Sequence, residues 1–316
     1  MIMVLLVTGG AGYIGSLLIR ELPLQKEFAG QTIRIFDNMS RETYSTLMNL
    51  PKTARYEFVA GDIRNASDIA RAMKDVDTVF HLAAITNAPI SFEREKSTMD
   101  INFSGTKNLA AESVKQNVER FIFTSTASVF GPTEGLVNED SPCNPESPYG
   151  MSKLMAEKAL LDAHKEGGLE PIILRLATNF GYAPGFRMDG IVINRLVWLA
   201  CTRNPITVYG TGQQKRPFLH IKDTVRVLCF AAAHPGMVGQ IFNVVGQNAS
   251  VNEIVNIIRE FLPQSDVVNI TGTRHLESLS YEMDGSKLAR FGFTPKHTVR
   301  DGVKELVEFF RGKVCE

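Results

Sequence analysis

The sequence has no excess charge of either sign and no apolar run long enough to cross a bilayer. Lysine plus arginine and aspartate plus glutamate each number 34, which argues against binding to nucleic acid or to a membrane surface. The chain enters an apolar run at once, without a basic leader or a cleavage site. These absences predict a cytoplasmic protein, and we predict no metal site.

The sequence also lacks a C-x-x-C pair, an internal repeat and a clear linker. Its four cysteines are scattered, which indicates reduced thiols that fill buried positions: Cys143, Cys201, Cys229 and Cys315. A length of 316 residues fits one large α/β unit or two interleaved ones.

A glycine-rich segment follows the first apolar run, Val4 to Val7. A buried strand that ends in glycines and opens a helix can hold a pyrophosphate, because the helix offers free N–H groups and the positive end of its dipole. Glycine-rich turns are common, so the strand before the turn and the helical spacing after it carry the argument. The residues predicted to hold the dinucleotide here are Gly9, Gly12, Tyr13, Ile14 and Gly15.

Asp37 ends the second strand-like run, about where an acidic residue contacts the ribose of a bound adenosine. Its carboxylate can accept both ribose hydroxyls and would repel a 2′-phosphate, which favours NAD over NADP. The alternative is an aspartate that only caps a turn. Asp62 and Ile63, after the third strand-like run, are similarly placed to meet the adenine.

Strand-like runs alternate with helix-like segments through the first half of the chain, which implies a parallel sheet covered on both faces. We predict an α/β fold: a Rossmann-type doubly wound parallel sheet over 1–178 and a smaller, interleaved substrate-binding domain over 179–316, with some segments returning to the sheet. The predicted strands are 4–7, 32–36, 56–59, 78–84, 120–126, 171–176 and 206–209. The predicted helices are near 67–75, 99–117, 148–166, 190–202, 222–234, 251–262 and 299–311.

The fourth run ends in small residues, Leu82, Ala83 and Ala84, which leave room for a flat ligand. His81 lies within this apolar run, and we interpret it as a core residue rather than a catalyst.

Tyr149 and Lys153 are four residues apart, so a helix that starts near Pro148 places both on one face. A fixed ammonium stabilises a phenolate, so we expect a lowered tyrosine pKa. Such a tyrosine can take a proton from an alcohol and return it. The spacing occurs often by chance, but here it follows a strand end rich in hydroxyls, Thr124 to Ser128.

Taken together, these motifs resemble an extended short-chain dehydrogenase/reductase of the nucleotide-sugar epimerase and dehydratase branch, close to UDP-glucose 4-epimerases. The resemblance covers nearly the whole chain. Its matching pieces are residues 8–15, Asp37-Asn38, 61–64, 81–84, Asn102 with Gly105-Thr106, 125–131, 149–153 and 216–223.

The resemblance implies a role for each matched residue. Tyr149 is the acid/base, Lys153 is its partner, and Thr126 is the hydroxyl that orients the substrate. Arg216 grips the nucleotide diphosphate, which suits a planar guanidinium. The cofactor contacts implied include Asn38 and Asn102, and the family's substrate-contacting asparagine falls on Thr178, with Asn179 one place later.

Two positions depart from related enzymes. Dehydratases of this branch carry an Asp-Glu pair after the active-site hydroxyl, and decarboxylases carry a glutamate at the second of these places. Here the residues are Ala127 and Ser128, which a 4-epimerase or a ketoreductase tolerates.

The sequence therefore predicts an NAD-dependent nucleotide-sugar epimerase that acts at C4, oxidising the sugar transiently and returning the hydride. The alternatives are an NAD(P)H-dependent 4-keto-sugar reductase or dehydrogenase and, in a different class, a non-catalytic NAD-binding sensor or scaffold. The resemblance also implies a homodimer formed through the helices near 99–117 and 148–166.

Overall fold

The structure is a computed structural model, and it describes residues 2–86, 88–186, 191–270, 280–311 and 313. Its strands are β1 (Val4–Thr8), β2 (Thr32–Asp37), β3 (Arg55–Ala60), β4 (Thr78–His81), β5 (Arg120–Thr126), β6 (Leu136–Val137), β7 (Pro171–Leu176), β8 (Thr178–Phe180), β9 (Ile206–Tyr209), β10 (Lys215–His220), β11 (Gln240–Val244), β12 (Gln247–Ser250), β13 (Val267–Ile270) and β14 (Glu282–Met283).

The α-helices are α1 (Tyr13–Glu21), α2 (Ala66–Met73), α3 (Ala88–Glu93), α4 (Glu95–Met99), α5 (Thr106–Lys115), α6 (Pro148–Lys165), α7 (Val192–Cys201), α8 (Ile221–Ala233), α9 (Val251–Phe261), α10 (Ser286–Arg290) and α11 (Val299–Arg311). A π-helical segment, Asp100–Gly105, joins α4 to α5. Among the described helices, none has both the length and the apolar character needed to cross a bilayer.

Seven parallel strands form the large sheet in the order β11-β7-β5-β4-β1-β2-β3. The order reverses between β1 and β4, and a crevice opens beyond the carboxyl ends of strands at such a point. The predicted doubly wound α/β fold is confirmed. The first six predicted strands are all present, but β4 ends at His81 rather than at residue 84.

Helices cover both faces of this sheet. On one face α1 and α8 bury residues such as Leu18 and Leu228, and on the other α2, α5 and α6 bury residues such as Ile69, Leu109 and Leu160. The predicted helix at 99–117 is interrupted by the π segment, and the other predicted helices differ from the observed bounds by at most two residues.

The second half of the chain builds a smaller layer. The strands β12, β10 and β8 form a three-stranded sheet, and α7, α9 and α11 pack around an apolar cluster that includes Phe180, Val197, Phe218, Ile254 and Leu306. Sequence reasoning missed β8, β10, β11 and β12. One of these, β11, completes the edge of the large sheet beside β7. The boundary at residue 178 stays a prediction.

The cysteines follow the prediction in part. Cys201 and Cys229 are buried, Cys143 is only half-buried, and Cys315 lies outside the described residues. Burial raises the pKa of the Cys229 thiol to about 12, which makes it a poor nucleophile.

Candidate active site

The glycine turn between β1 and α1 is too crowded for side chains. A Cβ on Gly15 would lie 2.3 Å from the Gly9 carbonyl oxygen, and one on Gly9 would lie 2.8 Å from the Ala83 nitrogen. Gly9 also has φ +68°, a conformation that favours glycine. Gly12 is the N-cap of α1 and provides no side-chain cap, which leaves the first-turn N–H groups of Tyr13 and Ile14 for an anion.

Asp37 lies at the end of β2 beside this turn. Its two carboxylate oxygens accept the backbone N–H groups of Ala11 at 3.0 Å and Met39 at 2.9 Å. Each oxygen can accept a further hydrogen bond. The carboxylate is therefore fixed beside the glycine turn, and its contact with two ribose hydroxyls stays a prediction.

The predicted adenine contacts divide into one polar and one packed residue. Asp62 accepts from Asn38 Nδ2 at 3.2 Å and pairs with Arg64 at 2.7 Å, and these contacts lower the pKa of Asp62 to about 2. Ile63, by contrast, is buried, and its side chain packs against Gly105. The Ile63 side chain is therefore used in packing, and the contact of Asp62 and Ile63 with adenine stays a prediction.

Residues 82–86, which we call the cofactor strap, leave the sheet after β4. The N–H groups of Leu82 and Ala83 both donate to the Thr8 hydroxyl at 3.2 Å, while Ala84 stays half-buried further along. Asn102 then fixes Ile85, because its amide accepts from the Ile85 N–H at 2.8 Å and donates to the Ile85 carbonyl at 2.9 Å. Asn102 is fully buried and holds the strap, and its direct contact with NAD stays a prediction.

His81 is fully buried with both ring nitrogens hydrogen-bonded, which confirms its interpretation as a core residue. Its Nδ1 lies 2.7 Å from the Thr8 hydroxyl and its Nε2 lies 2.8 Å from the Thr106 hydroxyl. Since Thr106 donates to the Asn102 carbonyl at 2.6 Å, the network assigns the ring proton to Nε2. Burial, with Lys153 nearby, lowers the pKa of His81 to about 3.

Tyr149 and Lys153 lie in the first turns of α6, as predicted, beside the end of β5, with Lys153 buried and Tyr149 half-buried. The Tyr149 phenol lies beside the Thr126 side chain. Lys153 Nζ donates to the Thr124 carbonyl at 2.8 Å and lies 4.6 Å from the centre of the Phe123 ring. These contacts bring the three predicted chemical groups to one strand end.

The expected pKa of Tyr149 is wrong in direction. Burial raises the pKa of Tyr149, and its hydrogen bond to Thr126 opposes this only in part. Burial also lowers the pKa of Lys153 to about 7, against the effect of Glu157 one turn further on. Burial disfavours the charged form of each group. This effect outweighs the attraction between the Lys153 ammonium and a Tyr149 phenolate, which the sequence analysis expected to lower the tyrosine pKa.

A buried ion pair lies behind Tyr149 and Lys153, and the sequence analysis did not predict it. Arg175 on β7 contacts Glu157 on α6 with an Nη2–Oε2 distance of 2.8 Å, and both side chains are buried. Glu157 also accepts a hydrogen bond from Ser125, the neighbour of Thr126. The one available signal was that Glu157 follows Lys153 by four residues, on the same helix face.

The predicted substrate residues differ in their burial and in their contacts within the protein. Asn179 donates to the Ala177 carbonyl at 3.1 Å and accepts from the Thr224 hydroxyl, so its amide is hydrogen-bonded within the protein, and the expected sugar contact stays a prediction. Thr178 is half-buried at the start of β8. Arg216 is half-buried on β10, near the phenol of Tyr281.

Arg216 was chosen by resemblance, whereas its neighbour Tyr281 was missed. Burial lowers the pKa of Arg216 and raises that of Tyr281 to about 12, so the guanidinium and a neutral phenol stand side by side. A further contact joins the glycine turn to the smaller layer, since the Tyr13 hydroxyl donates to the Gly181 carbonyl at 2.6 Å.

The fold and the site define a dinucleotide-binding enzyme of the doubly wound α/β class with a tyrosine–lysine pair at its centre. The chain belongs to the NAD dependent epimerase/dehydratase family, whose model matches residues 5–245. The residues of the glycine turn and Asp37 fit the cofactor that names this family.

Similar proteins span the whole chain. It is 30% identical to the uncharacterized UDP-glucose epimerase YtcB of Bacillus subtilis, over 97% of this chain and 98% of that protein. It is 28% identical to dTDP-glucose 4,6-dehydratase of Streptomyces niveus, over 97% and 92%. Its structure resembles that of UDP-glucuronic acid 4-epimerase from Bacillus cereus, in complex with UDP-glucuronic acid and NAD, with a TM-score of 0.88 at 27% identity and coverage of 98% and 99%.

Proposed function

We propose that the protein is an NAD-dependent nucleotide-sugar epimerase that acts at C4 of the sugar. The observation that carries this proposal is the placement of the Tyr149 phenol beside the Thr126 side chain, one helical turn from Lys153. Two hydroxyls at one strand end can share the oxygen of a sugar alcohol. Tyr149 removes the proton of that alcohol and later returns it, while Thr126 holds the oxygen in place.

The residues after Thr126 favour epimerisation over dehydration. Elimination of water requires a proton donor for the leaving hydroxyl and a base for the adjacent carbon. The two places that follow Thr126 hold Ala127, which is buried, and Ser128, whose hydroxyl lies 3.2 Å from that of Thr126. Neither residue is acidic, so neither of these places can supply the two acid–base groups.

NAD is the cofactor we assign to this site. The glycine turn and the start of α1 hold its pyrophosphate, Asp37 holds the adenosine ribose, and the cofactor strap lines its other end. Bound NAD supplies the acceptor and then the donor of the hydride. Because no net oxidation results, the protein has to keep the cofactor tightly bound between the two transfers.

A nucleotide diphosphate sugar is the substrate class that fits. Arg216 can bind a diphosphate through its planar guanidinium, and the Tyr281 phenol beside it stays neutral and does not offset that positive charge. The UDP-glucuronic acid complex of the similar Bacillus cereus enzyme supports a UDP-linked sugar. We include neutral and carboxylate-bearing sugars in the test.

The test uses the purified protein without added cofactor. It is incubated with UDP-, GDP-, CDP- and dTDP-linked sugars, UDP-glucose and UDP-glucuronic acid among them. NMR follows the products and absorbance follows NADH. We expect a product of unchanged mass with inverted configuration at C4 and no net NADH.

Variants of two tyrosines sharpen this test. Tyr149→Phe is expected to lower kcat by roughly 10²–10⁴-fold with its fold intact. Tyr56→Phe is the control, because it removes a tyrosine hydroxyl on β3, away from Tyr149, that donates to the Ile19 carbonyl at 3.0 Å. Full activity of Tyr149→Phe contradicts the proposal, and net NADH change or a mass shift assigns the protein to the reductases or lyases.

We also propose that the enzyme is a cytoplasmic homodimer that pairs through α5 and α6. Val114 on α5 and Met151 on α6 are apolar and exposed by 36% and 42%. Light scattering should give twice the protomer mass of 35.0 kDa. A mass of 35.0 kDa at micromolar concentration would exclude this assembly.

A further inference from the structure

The backbone of Tyr149 is held by a serine that lies far away in the sequence. The Ser91 hydroxyl, on α3, accepts the backbone N–H of Tyr149 at 3.1 Å. Ser91 is fully buried, and its own proton is donated to the Ala88 carbonyl at 2.6 Å. Because the hydroxyl proton is donated to Ala88, the Ser91 oxygen accepts the hydrogen bond from the Tyr149 backbone N–H.

The start of α6 needs this acceptor because its own cap does not reach Tyr149. Pro148 at the first position has no N–H, and the Ser147 side chain accepts the N–H of Gly150 at 3.1 Å. Tyr149 lies between these two residues. Its N–H is one of the first-turn groups that no helical partner can satisfy, and Ser91 satisfies it.

The carbonyl side of Tyr149 is held as well. The Ser152 hydroxyl donates to the Tyr149 carbonyl at 2.8 Å and accepts from Asn102 Nδ2 at 3.1 Å. Asn102 is the residue that clamps Ile85 of the cofactor strap. The strap and the helix α3 that follows it are therefore bonded to the Tyr149 backbone along two routes.

We propose that Ser91 and Ser152 are positioning residues for Tyr149, an inference that rests on the proposed function. Their hydroxyls bond to the backbone of Tyr149 and not to its phenol. They fix the tyrosine backbone to the strap that lines the cofactor, so that the phenol keeps its place beside Thr126 and the reacting carbon. A displacement of the order of 1 Å in such a group slows the chemical step strongly.

The test compares Ser91→Ala with Ser113→Ala. Ser113 is also fully buried and also donates to a carbonyl of its own helix, that of Leu109 at 2.8 Å, but it makes no bond to α6. The measurements are kcat and KM on the sugar nucleotide, NAD retained per protomer, and hydrogen exchange of the Tyr149 amide. Exchange of the Gly150 amide, which Ser147 holds, is the internal reference.

We expect Ser91→Ala to lose roughly ten-fold in kcat with unchanged KM and retained NAD. The Tyr149 amide should exchange faster, while the Gly150 amide keeps its rate. Ser91→Thr keeps an acceptor hydroxyl and should recover most of kcat. Ser113→Ala should change neither kcat nor the exchange of Tyr149.

Wild-type kcat in Ser91→Ala, with the protein folded, overturns the inference and leaves the proposed function standing. If Ser91→Ala does not fold, Ser152→Ala carries the same expectation from the carbonyl side, and unchanged kcat there overturns it equally. If the wild type converts no sugar nucleotide, the proposed function fails, and the inference of a positioning role for its acid/base falls with it. The exchange of the Tyr149 amide then shows separately whether Ser91 holds that backbone.

Discussion

Glu157 and Arg175 form a buried ion pair directly behind the strand end that carries Thr126. Arg175 donates from Nε and Nη2, and Nη2 approaches Glu157 Oε2 to 2.8 Å, with side-chain exposures of 4% for Arg175 and 1% for Glu157. Glu157 also accepts from Ser125 and raises the pKa of Lys153 against its burial. The ion pair therefore contacts Ser125 on β5 and acts on Lys153 on α6, the two elements that carry the site residues.

Replacing Glu157 by alanine should destabilise the protein by about 3–5 kcal/mol, because it leaves the Arg175 charge buried without its partner. Urea unfolding measures this loss. Asp162→Ala is the control, since Asp162 pairs on the surface with Lys165 at 3.4 Å and should contribute less than about 1 kcal/mol. Equal losses in both variants would mean that the Arg175 charge reaches solvent.

The large sheet could be predicted because its signals are local. Each of its first six strands is a short apolar run next to a turn or a helix, and the spacing of apolar residues marks each helix. β11 lacks a continuous apolar run, because Gln240 and Asn243 interrupt its apolar residues, and it takes its place in the sheet by pairing with β7. The same holds for β8, β10 and β12, whose pairing joins distant parts of the chain.

The sequence could predict which residues belong to the site, but not their burial, their hydrogen-bond partners or their pKa shifts. Motif order selects Tyr149, Lys153 and Thr126, and the structure brings them together. Whether a side chain is available depends on tertiary contacts that no motif shows. The side-chain amides of Asn102 and Asn179 are hydrogen-bonded to other groups of the protein. Burial raises the pKa of Tyr149, which is opposite to the shift expected from the sequence.

His81 should make the stability of the protein depend on pH. Its folded-state pKa of about 3 lies below its ordinary value of 6.5, so the unfolded chain binds a proton between these values and the folded protein does not. The contribution of His81 to the free energy of unfolding is fully present above pH 6.5 and is lost as pH falls towards 3. Urea unfolding from pH 7 to 5 should show an uptake of nearly one proton more in the wild type than in His81→Gln; identical pH slopes would place a charged His81 in the folded state.

Gly15→Ala should abolish NAD binding. The new Cβ would lie 2.3 Å from the Gly9 carbonyl oxygen, so α1 cannot keep its place on the turn that binds the pyrophosphate. The cofactor released by denaturing the purified variant measures the effect. Gly236→Ala is the control, since its Cβ would have no heavy atom nearer than 3.9 Å. Retention of stoichiometric NAD by Gly15→Ala would remove the glycine turn from the cofactor site.

Asp37→Asn should weaken the preference for NAD over NADP roughly ten-fold, or about 1.4 kcal/mol. The variant keeps an acceptor for the Ala11 N–H but loses the charge that repels a 2′-phosphate. Titration calorimetry with both cofactors gives the ratio of dissociation constants. Asp75→Asn, at an exposed turn of the same half of the chain, should leave that ratio unchanged. An unaltered ratio in Asp37→Asn would assign the discrimination to another residue.

Tyr13→Phe should loosen the attachment of the smaller layer to the glycine turn. The Tyr13 hydroxyl donates to the Gly181 carbonyl at 2.6 Å, and its loss should cost about 1 kcal/mol of stability. Because the chain enters the substrate-binding layer at Gly181, we expect KM for the nucleotide sugar to rise roughly five-fold, with kcat little changed. Tyr56→Phe removes an equivalent bond to the Ile19 carbonyl within the large-sheet half of the molecule. It should reduce stability alone, and an equal rise of KM in both variants would show that the Tyr13 bond has no special connection to the substrate layer.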